Sequence, residues 1–177
     1  MKTLVTLLRA VNVGGTGKLP MAELRSMAEA LGLTDVRTYI QSGNLVFSSA
    51  DDLASVKEAL EKKLETYAGK PVGVIVRTAQ EMQAILDANP FPNAEPSKVG
   101  VLFLDASPPS TTIDETKGPA DEKIELGERE IFIHYPSGMG RTKLRLAAMS
   151  AGTVRNINTV SKLVKMSTTS QGFTRKS

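Results

Sequence analysis

Two stretches of the chain carry residue types suited to holding an anion. In Arg9 to Lys18, the residues Asn12, Gly14, Gly15, Gly17 and Lys18 stand between an apolar strand and a helix, with almost no side-chain bulk. In Ser137 to Lys143, the residues Gly138, Gly140, Arg141 and Lys143 also follow a strand and enter a helix. Unpaired N–H groups at such a turn, together with the helix dipole, hold phosphate or carboxylate oxygens. Lys18, Arg141 and Lys143 would neutralise the charge. If the two halves of the chain pack about a pseudo-twofold axis, both loops face one cleft. A simpler reading competes, because glycine also serves tight turning and positive φ. The first stretch is not a nucleotide fingerprint. A Walker loop needs glycine where Asn12 stands and a hydroxyl where Leu19 stands, and Gly14, Gly15 and Gly17 do not form Gly-x-Gly-x-x-Gly.

Arg9 stands out because a strand position flanked by Leu7, Leu8 and Val11 is a costly place for an unpaired guanidinium. A structural ion pair is the common solution, and a ligand carboxylate or phosphate the less common one. Near the other end, Arg155 and Asn156 with Asn158, Thr159 and Lys162 make a donor-rich helix entrance. Capping by Asn156 or Asn158 is its default role and recognition the second. The candidate ligand-binding set is therefore Arg9, Asn12, Gly14, Gly15, Gly17, Lys18, Gly138, Gly140, Arg141, Arg155 and Asn156.

No residue is assigned a catalytic role. Gly-x-Ser-x-Gly is absent, and the one histidine, His134, alternates with Phe132 on a strand, which suits structure or surface better than chemistry. The lack of cysteine removes disulfides, thiol nucleophiles, iron–sulfur clusters and thiolate zinc sites. No cofactor and no metal are expected. Glu58, Glu61 and Glu65 read as the solvated face of a helix, and Asp51-Asp52 as a cap rather than a magnesium site.

The 177 residues suit one ordinary domain or two small ones, and a hydrophobic content of 41% suits a folded chain. A net charge of +3 and a pI near 9.2 favour anionic ligands, but the cations are scattered, which argues against a dedicated DNA-binding face. No apolar run reaches the ~18 residues of a membrane span, and Met1-Lys2-Thr3 leads into a strand rather than a cleavable signal. The expectation is a cytoplasmic protein, with an anionic small molecule as partner, no membrane, and nucleic acid disfavoured. A protein-interaction or oligomerisation module without a ligand is the competing class, and weak nucleic-acid binding a further one. Oligomeric state is open.

These loops must be positioned by regular elements. Leu4–Ala10 reads as a central strand, and Pro20 opens a helix carrying Met21, Leu24, Met27, Ala28 and Leu31, closed by Gly32. Asp35–Ile40 and Asn44–Ser48 form a hairpin around Gln41-Ser42-Gly43. Ser49-x-x-Asp52 caps a helix with Leu53, Val56, Leu60, Leu64 and Tyr67 on one face, ended by Gly69 and Pro71, and Val72–Arg77 is a strand. Residues 3–77 thus spell β-α-β-β-α-β, the ferredoxin-like order. We expect both helices to start from one sheet edge, which puts the Gly-rich loop beside Ser49–Asp52 and the Gln41–Asn44 turn ~17–20 Å away.

Thr78-x-x-Glu81 has the form of a capping box for a helix ending near Asn89-Pro90, and 91–97 is a turn-rich linker. Val99–Leu104 is a strand, Thr112-x-x-Glu115 caps a short helical piece, and Glu122–Leu126 with Glu130–Tyr135 form a second hairpin. A helix through Leu144, Ala147 and Ala148 and a last one near Asn158–Met166 follow. The second half spells β-α-β-β-α, a degenerate copy with a helix in place of the last strand. The fold class is α+β with two ferredoxin-like subdomains, 1–90 and 98–167, and a frayed tail, 168–177. An RNA-recognition module shares this order, but its stacking aromatics are missing. The first strand has none, and Asn44–Ser48 has only Phe47.

Leu7-Leu8-Arg9-Ala10-Val11-Asn12-Val13-Gly14-Gly15, Met21-Ala22-Glu23-Leu24, Tyr39-Ile40-Gln41-Ser42-Gly43-Asn44-Leu45-Val46-Phe47 and Thr153-Val154-Arg155-Asn156-Ile157-Asn158-Thr159-Val160 together resemble the bacterial family called domain of unknown function 1697. The resemblance spans nearly the whole chain and implies a pair of ferredoxin-like subdomains with no assigned activity. It departs at Ala10, where members carry glycine, and at Ile157, where they carry tryptophan. The second change removes an aromatic surface from that segment.

Overall fold

The structure is a computed structural model that describes residues 1–9, 19–39, 43–112, 121–139, 144 and 152–168. Asn12, Gly14, Gly15, Gly17, Lys18, Gly140, Arg141 and Lys143 lie outside the described residues. So do most of the helical piece expected after Thr112, the helix expected through Ala147 and Ala148, and the tail from residue 169.

The chain divides into two units, Met1–Gln83 with Leu163–Ser177, and Ala84–Lys162. In the first, strands β1 (Lys2–Leu8), β2 (Thr34–Tyr39), β3 (Asn44–Ser49) and β4 (Val74–Thr78) form an antiparallel sheet in the order β2-β3-β1-β4. Helix α1 (Met21–Ala30) links β1 to β2, and α2 (Leu53–Ala68) links β3 to β4. This is the ferredoxin-like order and topology. Leu4, Val5, Leu7 and Leu8 are fully buried, as expected of a central strand that is apolar on both faces. One face packs Leu4, Leu8, Leu45, Phe47, Val74 and Val76 against Leu24, Met27 and Ala28 of α1 and Val56, Leu60 and Leu64 of α2. Phe47 belongs to this covered core, so it is closed to base stacking.

Local chemistry sets the helix ends. Pro20 takes the cap position of α1, one residue before the first helical position expected for it. Asp52 caps α2 by accepting from the Ser55 amide at 2.7 Å, and Gly69 ends it in the left-handed region at φ 75°. Tyr67, expected on the buried face, is 47% exposed instead, in the last turn of α2 where it lines a groove with Met27 and Leu31.

The strand directions correct one expectation. β1 pairs antiparallel with β3, with Leu7 opposite Asn44 and Lys2 opposite Ser49. The β2–β3 turn therefore lies beside the end of β1 where the Gly-rich stretch begins, and Ser49–Asp52 lies at the far end. The two helices start from opposite sheet edges, because β1 and β3, the strands they follow, run in opposite directions.

In the second unit β5 (Val99–Phe103), β6 (Lys123–Leu126), β7 (Glu130–His134) and β8 (Thr153–Asn156) form an antiparallel sheet in the order β6-β7-β5-β8, which repeats the first sheet's order. The last strand, expected to be replaced by a helix, is present as β8, and α4 (Ile157–Thr168) follows it. Leu102, Leu104, Ile131, Ile133, Tyr135 and Leu144 make this unit's core. Between β4 and β5 run α3 (Ala79–Asp87) and a single 3-10 turn, Pro96–Lys98. The capping box at the start of α3 forms fully. The Thr78 amide donates to Glu81 Oε1 at 2.8 Å, and the Glu81 amide donates to Thr78 Oγ1 at 3.0 Å.

Candidate functional site

Three chain segments meet at the edge of the first sheet where β1 ends. The Leu8 amide donates to the Gly43 carbonyl and the Arg9 amide to the Gly73 carbonyl, each at 2.9 Å. The hairpin turn is fixed by Gly43, at φ 86°, and by the buried Asn44, whose Nδ2 donates to the Tyr39 carbonyl at 2.8 Å. Asn44 is a brace for the turn.

The Arg9 side chain lies across Gly73. A Cβ on residue 73 would stand 2.7 Å from Arg9 Nη1 and 2.8 Å from its Cδ. Arg9, Glu61, Glu65, Pro71, Val72 and Gly73 line a depression of about 390 Å³. Glu61 is partly buried rather than a member of a solvated face. Its Oε2 accepts from Lys57 Nζ at 2.6 Å and from the Val74 amide at 3.0 Å, while Lys57 Nζ also donates to the Val74 carbonyl at 2.7 Å. Two side chains of α2 thus satisfy both polar groups of Val74 at the start of edge strand β4. The fixed charges around the depression are one guanidinium and two carboxylates.

The second unit places its candidates differently. The Gly138 amide donates to the Tyr135 carbonyl at 2.8 Å with φ at 96°, so it serves a tight turn. Arg155 is buried in β8, where Nη1 donates to Thr153 Oγ1 at 2.6 Å and to the Val154 carbonyl at 3.0 Å. Loss of solvent pulls its pKa down to about 10. Asn156 Oδ1 accepts from the Thr159 amide at 2.9 Å, the capping geometry. His134 packs against Phe91 with ring centroids 5.5 Å apart, a structural contact.

Of the candidates named from the sequence, only Arg9, Gly138, Arg155 and Asn156 fall among the described residues, and the first lies in a different unit from the other three. Sequence reasoning missed Gly73, Glu61 and Glu65 as neighbours of Arg9. The antiparallel β1–β4 pairing, Leu8 opposite Val74, was the signal that brings them there. No group of three or more His, Cys, Asp or Glu suited to a metal occurs among the described residues, and none of their helices is long and apolar enough to cross a membrane.

A doubled ferredoxin-like α+β architecture defines the class of protein. The family described as "Protein of unknown function (DUF1697)" matches residues 1–132, and the chain belongs to it. A solved structure described as conserved bacterial protein SP0830 from Streptococcus pneumoniae is similar at 26% identity and a TM-score of 0.79. The similarity covers 94% of this chain and 98% of that one. No curated protein matches the sequence.

Proposed function

We propose that this chain binds a small phosphate- or carboxylate-bearing ligand at the edge of the first sheet, with Arg9 as the anchoring cation. A cytoplasmic setting suits the cysteine-free composition. The observation that carries the reading is the packing of Arg9 over Gly73, which holds a guanidinium in a depression lined also by Glu61, Glu65, Pro71 and Val72, where Glu61 is engaged by Lys57 and the Val74 amide. The Arg9 amide is already taken by the Gly73 carbonyl, so the side chain, not that amide, supplies the charge-assisted hydrogen bonds. Gly14–Lys18 follows closely in the sequence, and its N–H groups and Lys18 are the second set of donors in this proposal. Arg155, Asn156 and Gly138 serve a strand, a helix cap and a tight turn of the second unit and are not needed for it.

A thermal-shift screen against inorganic phosphate, pyrophosphate, sugar phosphates and small carboxylates tests the reading. A ligand at about 100 times its Kd adds roughly 2.7 kcal/mol of apparent stability. The expected result is a shift for at least one compound that disappears in Arg9→Ala. A full panel without a shift, or a shift equal in both proteins, would refute it.

A further inference from the structure

A second cavity lies on the first unit's helical layer, between α1 and α2. Met27 of α1, Leu31 just past its end, and Glu58, Ala59, Lys62, Lys63 and Tyr67 of α2 line a groove of about 750 Å³. That volume is within the ~300–1,000 Å³ range of small-molecule sites. Its apolar surface comes from Met27, Leu31 and Ala59. Tyr67 stands as a wall, and apart from Met1 it is the one large hydrophobic side chain exposed among the described residues. Leu60 and Leu64 of α2 are buried in the core and hold this helix against the sheet, so the groove is preformed.

The polar rim gives the groove a sign. Lys62 and Lys63 are exposed, and neither forms an ion pair among the described residues. Glu58 stands one turn before Lys62 on the same helix. The lining charges are two cations and one anion, with the cations toward the Tyr67 end. We infer that this groove binds a small amphiphilic anion, its aromatic or acyl body laid along Met27, Leu31 and Tyr67 and its acidic group held by Lys62 and Lys63. This site is separate from the depression at Arg9 and does not depend on it.

Equilibrium titration with 8-anilinonaphthalene-1-sulfonate, read by its fluorescence, tests the inference, with octanoate and 1-octanol as competitors. The folded wild type should bind the dye saturably at one site, and octanoate should displace it at about tenfold lower concentration than 1-octanol. Reversing both rim charges, Lys62→Glu with Lys63→Glu, should weaken dye binding about tenfold or more and erase the preference for octanoate. Lys70→Glu, an exposed charge reversal outside the groove, should leave the affinity within about twofold. Circular dichroism checks that each variant is folded, and Lys62→Gln with Lys63→Gln replaces the double reversal if it is not. Absence of saturable dye binding, or equal affinity in wild type and rim variants, would overturn the inference. Displacement by 1-octanol as readily as by octanoate would overturn it as well.

Discussion

Arg9 and Gly73 share one sheet edge because residue 73 has no side chain. The Arg9 amide donates to the Gly73 carbonyl at 2.9 Å, and a Cβ there would meet Arg9 Nη1 at 2.7 Å. The backbone at Gly73 is outside the left-handed region, so the glycine answers a close approach rather than a φ requirement. In Gly73→Ala the guanidinium is pushed aside. Because the obstructing atoms belong to a flexible side chain, the stability loss should be near the low end of the overpacking range, about 1 kcal/mol. Ligand binding should fall about tenfold or more, as in Arg9→Ala. Urea denaturation and calorimetric titration separate the two effects.

Gly152 makes the opposite case. A Cβ there would run into the Phe103 carbonyl oxygen and stand within 2.9 Å of Leu102 and Leu104 side-chain atoms, so part of the obstruction is backbone. Gly152→Ala should lose about 3 kcal/mol, the upper end for an overpacked site. A denaturant midpoint equal to wild type would show that the approach to β8 is looser than described.

Asn156 can be assigned by rescue. As the cap of α4, accepting from the Thr159 amide, it should cost about 1 kcal/mol when replaced by alanine, and Asn156→Asp should restore most of that. Ligand affinity should be unchanged in both variants. Thermal unfolding and the thermal-shift panel report the two properties.

Tyr135 gives a pH signature. Burial, with a smaller contribution from Glu122, pushes its pKa from 10.0 up to about 12. Between these values the unfolded chain has lost the proton that the folded chain keeps, so stability falls as pH rises through the window. Arg155 acts in the reverse sense above about pH 10, because its folded pKa lies below the unfolded value of 12.5. Tyr135→Phe should therefore lose less stability than wild type between pH 10 and 12, as measured by denaturant midpoints across that range. Parallel curves would contradict the burial of the phenol.

The parts of the fold visible in the sequence are those set by local chemistry. The Thr78–Glu81 box and the Gly69 stop each need only a few neighbouring residues and form as their spacing predicts, whereas the cap of α2 falls to Asp52 alone, because Ser49 ends β3 and accepts from the Asp51 amide instead. β8 escapes such a reading because it has four residues, and two of its positions are polar or charged and buried. Arg155, which a period-two pattern sends to solvent, is one of them. Its counterpart Arg77 is the largest fully buried side chain, and nothing in the local pattern marks it. The registers show their equivalence, with Arg77 opposite Val5 in the first sheet and Arg155 opposite Val101 in the second. The surroundings of Arg9 were illegible for a similar reason. Gly73 and Glu61 reach it only through strand direction, which depends on long-range pairing rather than on local pattern.

Whether Arg9 anchors an anion at this edge is open to a ¹⁵N-edited NMR titration with inorganic pyrophosphate. The wild-type amides of Arg9, Gly43 and Gly73, which lie along the backbone hydrogen bonds that join the three segments, should move together and saturate, and Arg9→Ala should abolish the response. Still signals at those three residues, or shifts that survive undiminished in Arg9→Ala, would contradict it.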